Sequence, residues 1–231
     1  MQTDTHVRHF RRFRLIPVVH QRKMKTVPLS AYSLDTFVAP HMSKLTLVGA
    51  PSLESVTGEY CYWVNNFILN TIFHIRLEDR KRQLFLYFLR KVEGSFQEYE
   101  QGRHFLATYI EKPGEAVSAY FHALRHFEVA TILAYHAYDT FRSLTQEKLY
   151  VKGDGSALQR LNRLQNISKH ANQELGRGTI PDNLSTPIWL TNTGIESHDA
   201  ALSFEELSEL LKELAGVAEV FSKPQIIPEI A

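Results

Sequence analysis

The chain has 231 residues, 44% of them hydrophobic and 22% charged, with a formal net charge of +1. That is enough for one large domain, or a domain with an appended arm, and the composition is that of an ordinary soluble globular protein. The near-balanced charge announces neither a nucleic-acid nor a membrane partner. The single Cys61 excludes an intrachain disulfide and a cysteine-cluster zinc site. It sits in an apolar run without a nearby basic group, so it reads as a buried structural thiol and suits a reducing, cytoplasmic setting.

The average hides an asymmetry. Arg8, Arg11, Arg12, Arg14, Arg22, Lys23 and Lys25 stand near the start against Asp4 alone, while the last helix carries Glu205, Glu206, Glu209, Glu213 and Glu219. Residues 1–51 read as a basic arm, because Pro17, Pro28 and Pro40 interrupt any long helix. No uninterrupted apolar stretch makes this arm a secretory signal. It reads as a basic arm for RNA phosphates, an Arg-rich targeting segment, or residues ahead of a later start at Met24 or Met42.

Residues 52–223 are expected to form the folded domain and residues 224–231, with Pro224 and Pro228, a tail. The run GEYCYWVNNFILNTIFHIRL, residues 58–77, approaches the length of a membrane span. Asn65, Asn66, Asn70 and His74 are costly at a bilayer centre, so the expectation is a central helix buried by its neighbours and no membrane partner. Residues 79–111 continue at helical spacing through Leu84, Phe88, Val92, Phe96, Tyr99 and Phe105, with Gly94 and Gly102 read as bends or a break.

Lys112-Pro113-Gly114 is a turn, and residues 115–145 follow as the strongest helical pattern of the chain. Val117, Tyr120, Phe121, Leu124, Phe127, Val129, Ile132, Leu133 and Tyr135 cover so much of its circumference that heavy burial is expected. His122 and His126 have a metal-ligand spacing, but no zincin pattern or evident third ligand accompanies them, and ordinary core or amphipathic histidines explain them better. No metal or other cofactor is expected.

After the loop of Gly153, Asp154 and Gly155, Ser156 is a plausible N-cap for a helix over residues 158–175, LQRLNRLQNISKHANQEL, closed by Gly176 and Gly178. At about 100° per residue, Arg163, Asn166 and His170 fall within roughly 60° of one another, extended by Gln159 and Gln173. Leu161, Leu164, Ser168, Ala171 and Leu175 make the opposite, core-facing stripe.

Around Asn192-Thr193-Gly194 the pattern predicts a loop with a small hairpin. The last helix opens on a capping box, Ser203 with Glu206, and a staple of Leu202 on Leu207. Phe204, Leu207, Leu211, Leu214, Ala218 and Phe221 form its buried stripe. The fold class is therefore all-α, an antiparallel bundle of four to five helices with a small hairpin before the last.

A short late helix with Arg, a polar neighbour and His, then a loop and a final amphipathic helix, resembles the HEPN superfamily. The resemblance rests on RLQNISKHAN, residues 163–172, and on the helix order from about residue 58 to 222. It implies a homodimer in which two motif copies line one cleft, and in many members a metal-independent endoribonuclease of toxin–antitoxin, phage-defence or RNA-processing systems. In the common form, Gln165 stands where the Arg should be, and Arg163 supplies the looser spacing to His170. Some members carry a Tyr two residues after the His, where this chain has Asn172.

Such chemistry needs proton transfer at the 2′-OH and the leaving oxygen, with positive charge on the phosphate. An imidazole titrates in the right range and a guanidinium offers bidentate donors. The roles implied are His170 as general acid/base and Arg163 as phosphate clamp. Asn166, Lys169 and Gln165 would contact substrate, Asn166 orienting the His or the ribose and Lys169 adding charge. Its partners would be RNA and a cognate antitoxin or nucleotidyltransferase.

Two other readings stand beside this one. The first is a non-catalytic RNA- or nucleotide-binding or dimerisation module of the same fold, its site degraded by Gln165. The second is a metal-dependent enzyme using His122, His126 and Glu128.

Overall fold

A computed structural model describes residues 28–56, 62–73, 77–178, 180, 184 and 186–223. Cys61, the basic residues 1–27 and the tail from Pro224 lie outside the described residues. The protein is mostly helical, with a small three-stranded antiparallel sheet. Its helices are α1 (Ala31–Phe37), α2 (Trp63–Phe73), α3 (Asp79–Glu111), α4 (Val117–Thr145), α5 (Ala157–Lys169), α6 (Ala171–Gly176) and α7 (Phe204–Ser222). The strands β1 (Ile188–Leu190), β2 (Gly194–Ser197) and β3 (Ala201–Ser203) precede α7. No helix among the described residues is long and apolar enough to cross a membrane.

The centre of the fold is the hairpin of α3 and α4. Phe85, Phe88, Leu89, Val92, Phe96, Tyr99, Leu106 and Tyr109 form one buried stripe on α3, facing Tyr120, Ala123, Phe127, Ala130, Ala134 and Ala137 of α4. The alanines and glycines bring the two axes together. A Cβ at Gly102 would stand 3.0 Å from the Phe127 ring, and one at Gly94 would stand 3.0 Å from Leu133. The expected bend or break at these glycines is therefore absent. They leave α3 continuous over 33 residues and serve close packing across the hairpin.

Within the aromatic run after residue 58, the described residues do not make the central helix. The described helix there, α2, has 11 residues and buries only Trp63 and Phe67, while Leu69, Ile72 and Phe73 are exposed. A segment apolar on every side does not mark which face turns inward, and α2 lies at the margin against α3 and α7. Trp63 ties it down by donating from Nε1 to Glu219 at 3.0 Å.

Residues 28–51 are packed on the bundle rather than forming part of an arm. Leu34, Ala39, Met42, Leu45 and Ala50 join the core. Tyr109 donates its hydroxyl to the Met42 carbonyl, Tyr99 to that of Pro51, and Arg103 donates from Nε to that of Ala50. The α3–α4 turn closes at Gly114, whose φ of 80° is a left-handed conformation.

The hairpin foreseen at Asn192 exists, but it is extended by a third strand. β1 pairs with β2 through Ile188↔Ser197 and Leu190↔Ile195, and β2 pairs with β3 through Gly194↔Ser203 and Glu196↔Ala201. The sheet is anchored to α4 by the Leu190 N–H, which donates to the buried Tyr120 hydroxyl at 3.1 Å. β3 runs straight into α7 through the capping box of Ser203 and Glu206, both halves of which are formed. All six residues expected on the buried stripe of α7 are buried.

Candidate functional site

The stretch that resembles the HEPN motif occupies α5 and α6. Ser156 caps α5 by accepting from the Gln159 N–H, and Leu161, Leu164 and Ile167 pin the helix to the core. The expected single helix over 158–175 is broken at His170, whose φ of −114° and ψ of 20° leave the helical region. Ile167, Ser168, His170 and Asn172 are all weaker helix formers, and the side chains of Ser and Asn compete for the backbone. The axis changes there, so Leu175 leaves the buried stripe and is exposed.

The structure separates the expected polar ladder into two faces. On one, Arg163 donates from Nε and Nη2 to Asp199 Oδ2, at 3.0 and 2.7 Å. Its Nη1 lies 4.0 Å from Glu174. Asp199 stands on the β2–β3 turn, which Ser197 shapes by accepting from the Ala200 N–H at 3.0 Å. Burial opposes ionisation of Asp199, but the Arg163 hydrogen bonds and charge, with His198, hold its carboxyl below the usual range. His198 Nε2 is 3.7 Å from the same carboxylate, and its buried Nδ1 has no hydrogen-bond partner among the described residues.

The second face holds Asn162, Asn166 and Lys169, which fall within about 60° of one another by helical spacing. Asn166 donates to Asn162 Oδ1 at 2.9 Å, and Asn162 donates to the Tyr150 hydroxyl. Tyr150 in turn hydrogen-bonds Tyr135, whose hydroxyl is pushed up to about 12, first by burial and then by Tyr150. Lys91 of α3 and Lys169 of α5 both act on His136 of α4. Burial, then these two ammonium groups, push its imidazole below the ordinary value against the opposing charge of Asp139. The Nδ1 of His136 is buried without a hydrogen-bond partner among the described residues.

Among the expected site residues, Gln165 is a correction. It is 4% exposed, stacked one turn beyond buried Leu161, and does not share the outward face on which a substrate contact was expected. Lys169 is exposed, while Asn166 and His170 are half-buried. Arg163 and Lys169 therefore belong to different faces. The carboxylates around Arg163 were not foreseen: Asp199 lies 36 residues further on, in a stretch that reads as loop. The only local signal was the Ser-His-Asp run at 197–199 beside a turn.

The histidines of α4 do not converge with Glu128. His126 Nδ1 pairs with Glu98 at 2.6 Å, and Phe105 stacks against both His126 and His122. Glu128 faces α5 instead, where Ser168 donates to it at 3.2 Å. No group of three or more His, Cys, Asp or Glu suited to a metal occurs among the described residues.

Burial raises the Glu128 carboxyl, and the Ser168 hydrogen bond only partly opposes it. Its folded value thus exceeds the unfolded one, so its contribution is fully present below the unfolded value and lost as pH rises through the folded one. Glu128→Gln should therefore melt a few degrees above the wild type at pH 7, with the gap closing towards pH 4. Equal melting curves at pH 7 would contradict this assignment.

In fold and site this is a mainly helical protein whose helix α5 carries two distinct polar faces. Comparison of the chain with protein-family models, with curated proteins and with solved structures gives no match.

Proposed function

We propose that the chain is a HEPN-like, non-catalytic RNA-binding module that holds RNA without cleaving it. One observation carries this reading. Arg163, the only guanidinium at motif spacing from His170, has Nε and Nη2 on Asp199 and Nη1 towards Glu174. A phosphate clamp needs those donors aimed at substrate oxygens. Here they tie α5 to the β2–β3 turn, and burial of Gln165 removes the other motif position from the surface. RNA is instead met by the Asn162, Asn166 and Lys169 face, beside Lys91, His136 and Tyr150. The homodimer implied by the resemblance is part of the proposal.

The endoribonuclease reading, with Arg163 as clamp and His170 as acid/base, keeps one supporting observation. The Arg163–Asp199 pair is about 40% exposed on each side, and such pairs contribute little enough for a phosphate to displace the carboxylate. A labelled single-stranded RNA incubated with the full chain in EDTA separates the two. Binding is expected to saturate, weaken with salt and return the strand intact, in wild type and His170→Ala alike. A chain that binds no RNA at low salt overturns the proposal.

A further inference from the structure

We propose that the groove between the N-terminal end of α3 and the C-terminal end of α4 seats the phosphate backbone of single-stranded RNA. This rests on the reading of the chain as an RNA-binding module and assigns where the strand runs. The groove encloses about 1100 Å³ and is lined by Arg80, Lys81, Tyr87, Arg142 and Lys148, with Glu78 and Glu147 as the opposing carboxylates. Asp139 pairs with Arg142 at 2.6 Å. Arg80, Lys81 and Lys148 are exposed and make no ion pair among the described residues.

The cations are strung out rather than gathered. Arg80, Leu84, Tyr87 and Lys91 return to one face of α3, and from Arg80 to Lys91 the helix rises about 16 Å. Tyr87 lies within that line, 43% exposed, with the Lys91 ammonium 5.0 Å from its ring centroid. Beyond Lys91, His136 of α4 feels the charge of both Lys91 and Lys169, so the line of cations is directed towards the polar face of α5. A single phosphate group on a peptide is held by donors that converge on one point. A line of spaced cations with an aromatic ring in it suits successive phosphates and an unpaired base stacked between them. A duplex has no free base for that ring, and a flat anionic bilayer does not enter a groove.

The test is fluorescence anisotropy with the full chain, a fluorescein-labelled single-stranded RNA and two salt concentrations. The triple reversal Arg80→Glu, Lys81→Glu, Lys148→Glu is expected to weaken binding at least tenfold at low salt and to reduce the salt slope by about 2. Tyr87→Leu is expected to weaken it about fivefold or more with the salt slope unchanged. A control reversal of exposed Lys112, Arg177 and Lys212 matches the net charge, and unchanged melting curves certify folding of all variants. If RNA binds and the two triple variants behave alike, the groove is overturned while RNA binding by the chain stands. If wild type binds no RNA, both fall. Preference for phosphatidylserine vesicles or a phosphoserine peptide over RNA, lost in the groove variant, would also overturn it by naming another occupant.

Discussion

Phe88→Ala is expected to destabilise the protein by about 3–5 kcal/mol, the usual cost of emptying a fully buried aromatic site. Phe88 is wholly buried on α3, 5.3 Å from the Phe221 ring of α7 and 6.4 Å from the Phe141 ring of α4. Phe221 is held in turn by Phe85, at 4.4 Å edge to face. The truncation therefore opens a cavity where three helices meet, and long helices locked at that point cannot close on it. In a domain of this size the loss lowers the melting temperature on the order of 10 °C. Phe121→Ala provides the contrast, since Phe121 is 47% exposed, packs edge to face on Tyr120, and should cost about 1 kcal/mol. Equal losses for the two variants would mean that the core is misplaced.

Gly194→Ala should cost about 1–3 kcal/mol by overpacking, although it adds a single methyl group. A Cβ there would stand 2.3 Å from the Leu202 carbonyl oxygen and 2.8 Å from the Ser203 Cα. Both are backbone atoms, so β2 and β3 must separate, and no side-chain rotation relieves the contact. The damage should reach the candidate site, because the β2–β3 turn carries Asp199. Loss of the Arg163 Nε–H resonance in the nuclear magnetic resonance spectrum would report release of that guanidinium. Gly176→Ala, where nothing lies within 4 Å of the added methyl, should not lower stability and should leave the Arg163 signal in place. A neutral Gly194→Ala would refute the close strand approach.

What the sequence revealed of this fold follows what local pattern can encode. α7 was legible completely, since its capping box and stripe are relations within one helix. The length of α3 was obscured by Gly94 and Gly102, whose role appears only against Leu133 and Phe127 of another helix. The run after residue 58 is apolar on all sides and so does not distinguish a central helix from the marginal α2. Residues 28–51 lack a long periodic stretch, yet Leu34, Met42 and Leu45 reach the core from short turns. The third strand has only three residues, too few for alternation to register.

The site was legible in part for the same reason. Arg163, Asn166, Lys169 and His170 were identifiable from spacing on one helix. The separation of Arg163 from Asn166 and Lys169 depends on Asp199, Tyr150, His136 and Lys91, which arrive from four other parts of the chain. Burial of Gln165 follows from how α5 sits on the core, which its own spacing does not fix.

The claim that Arg163 holds structure rather than substrate is tested most directly by the fate of RNA itself. An end-labelled single-stranded RNA is incubated with excess full chain in EDTA, at a salt concentration where binding is complete, and resolved on a denaturing gel. The strand should be recovered at full length, with wild type indistinguishable from His170→Ala. Fragments ending in cyclic phosphate that disappear in Arg163→Ala and in His170→Ala would contradict the account and establish the pair as catalytic.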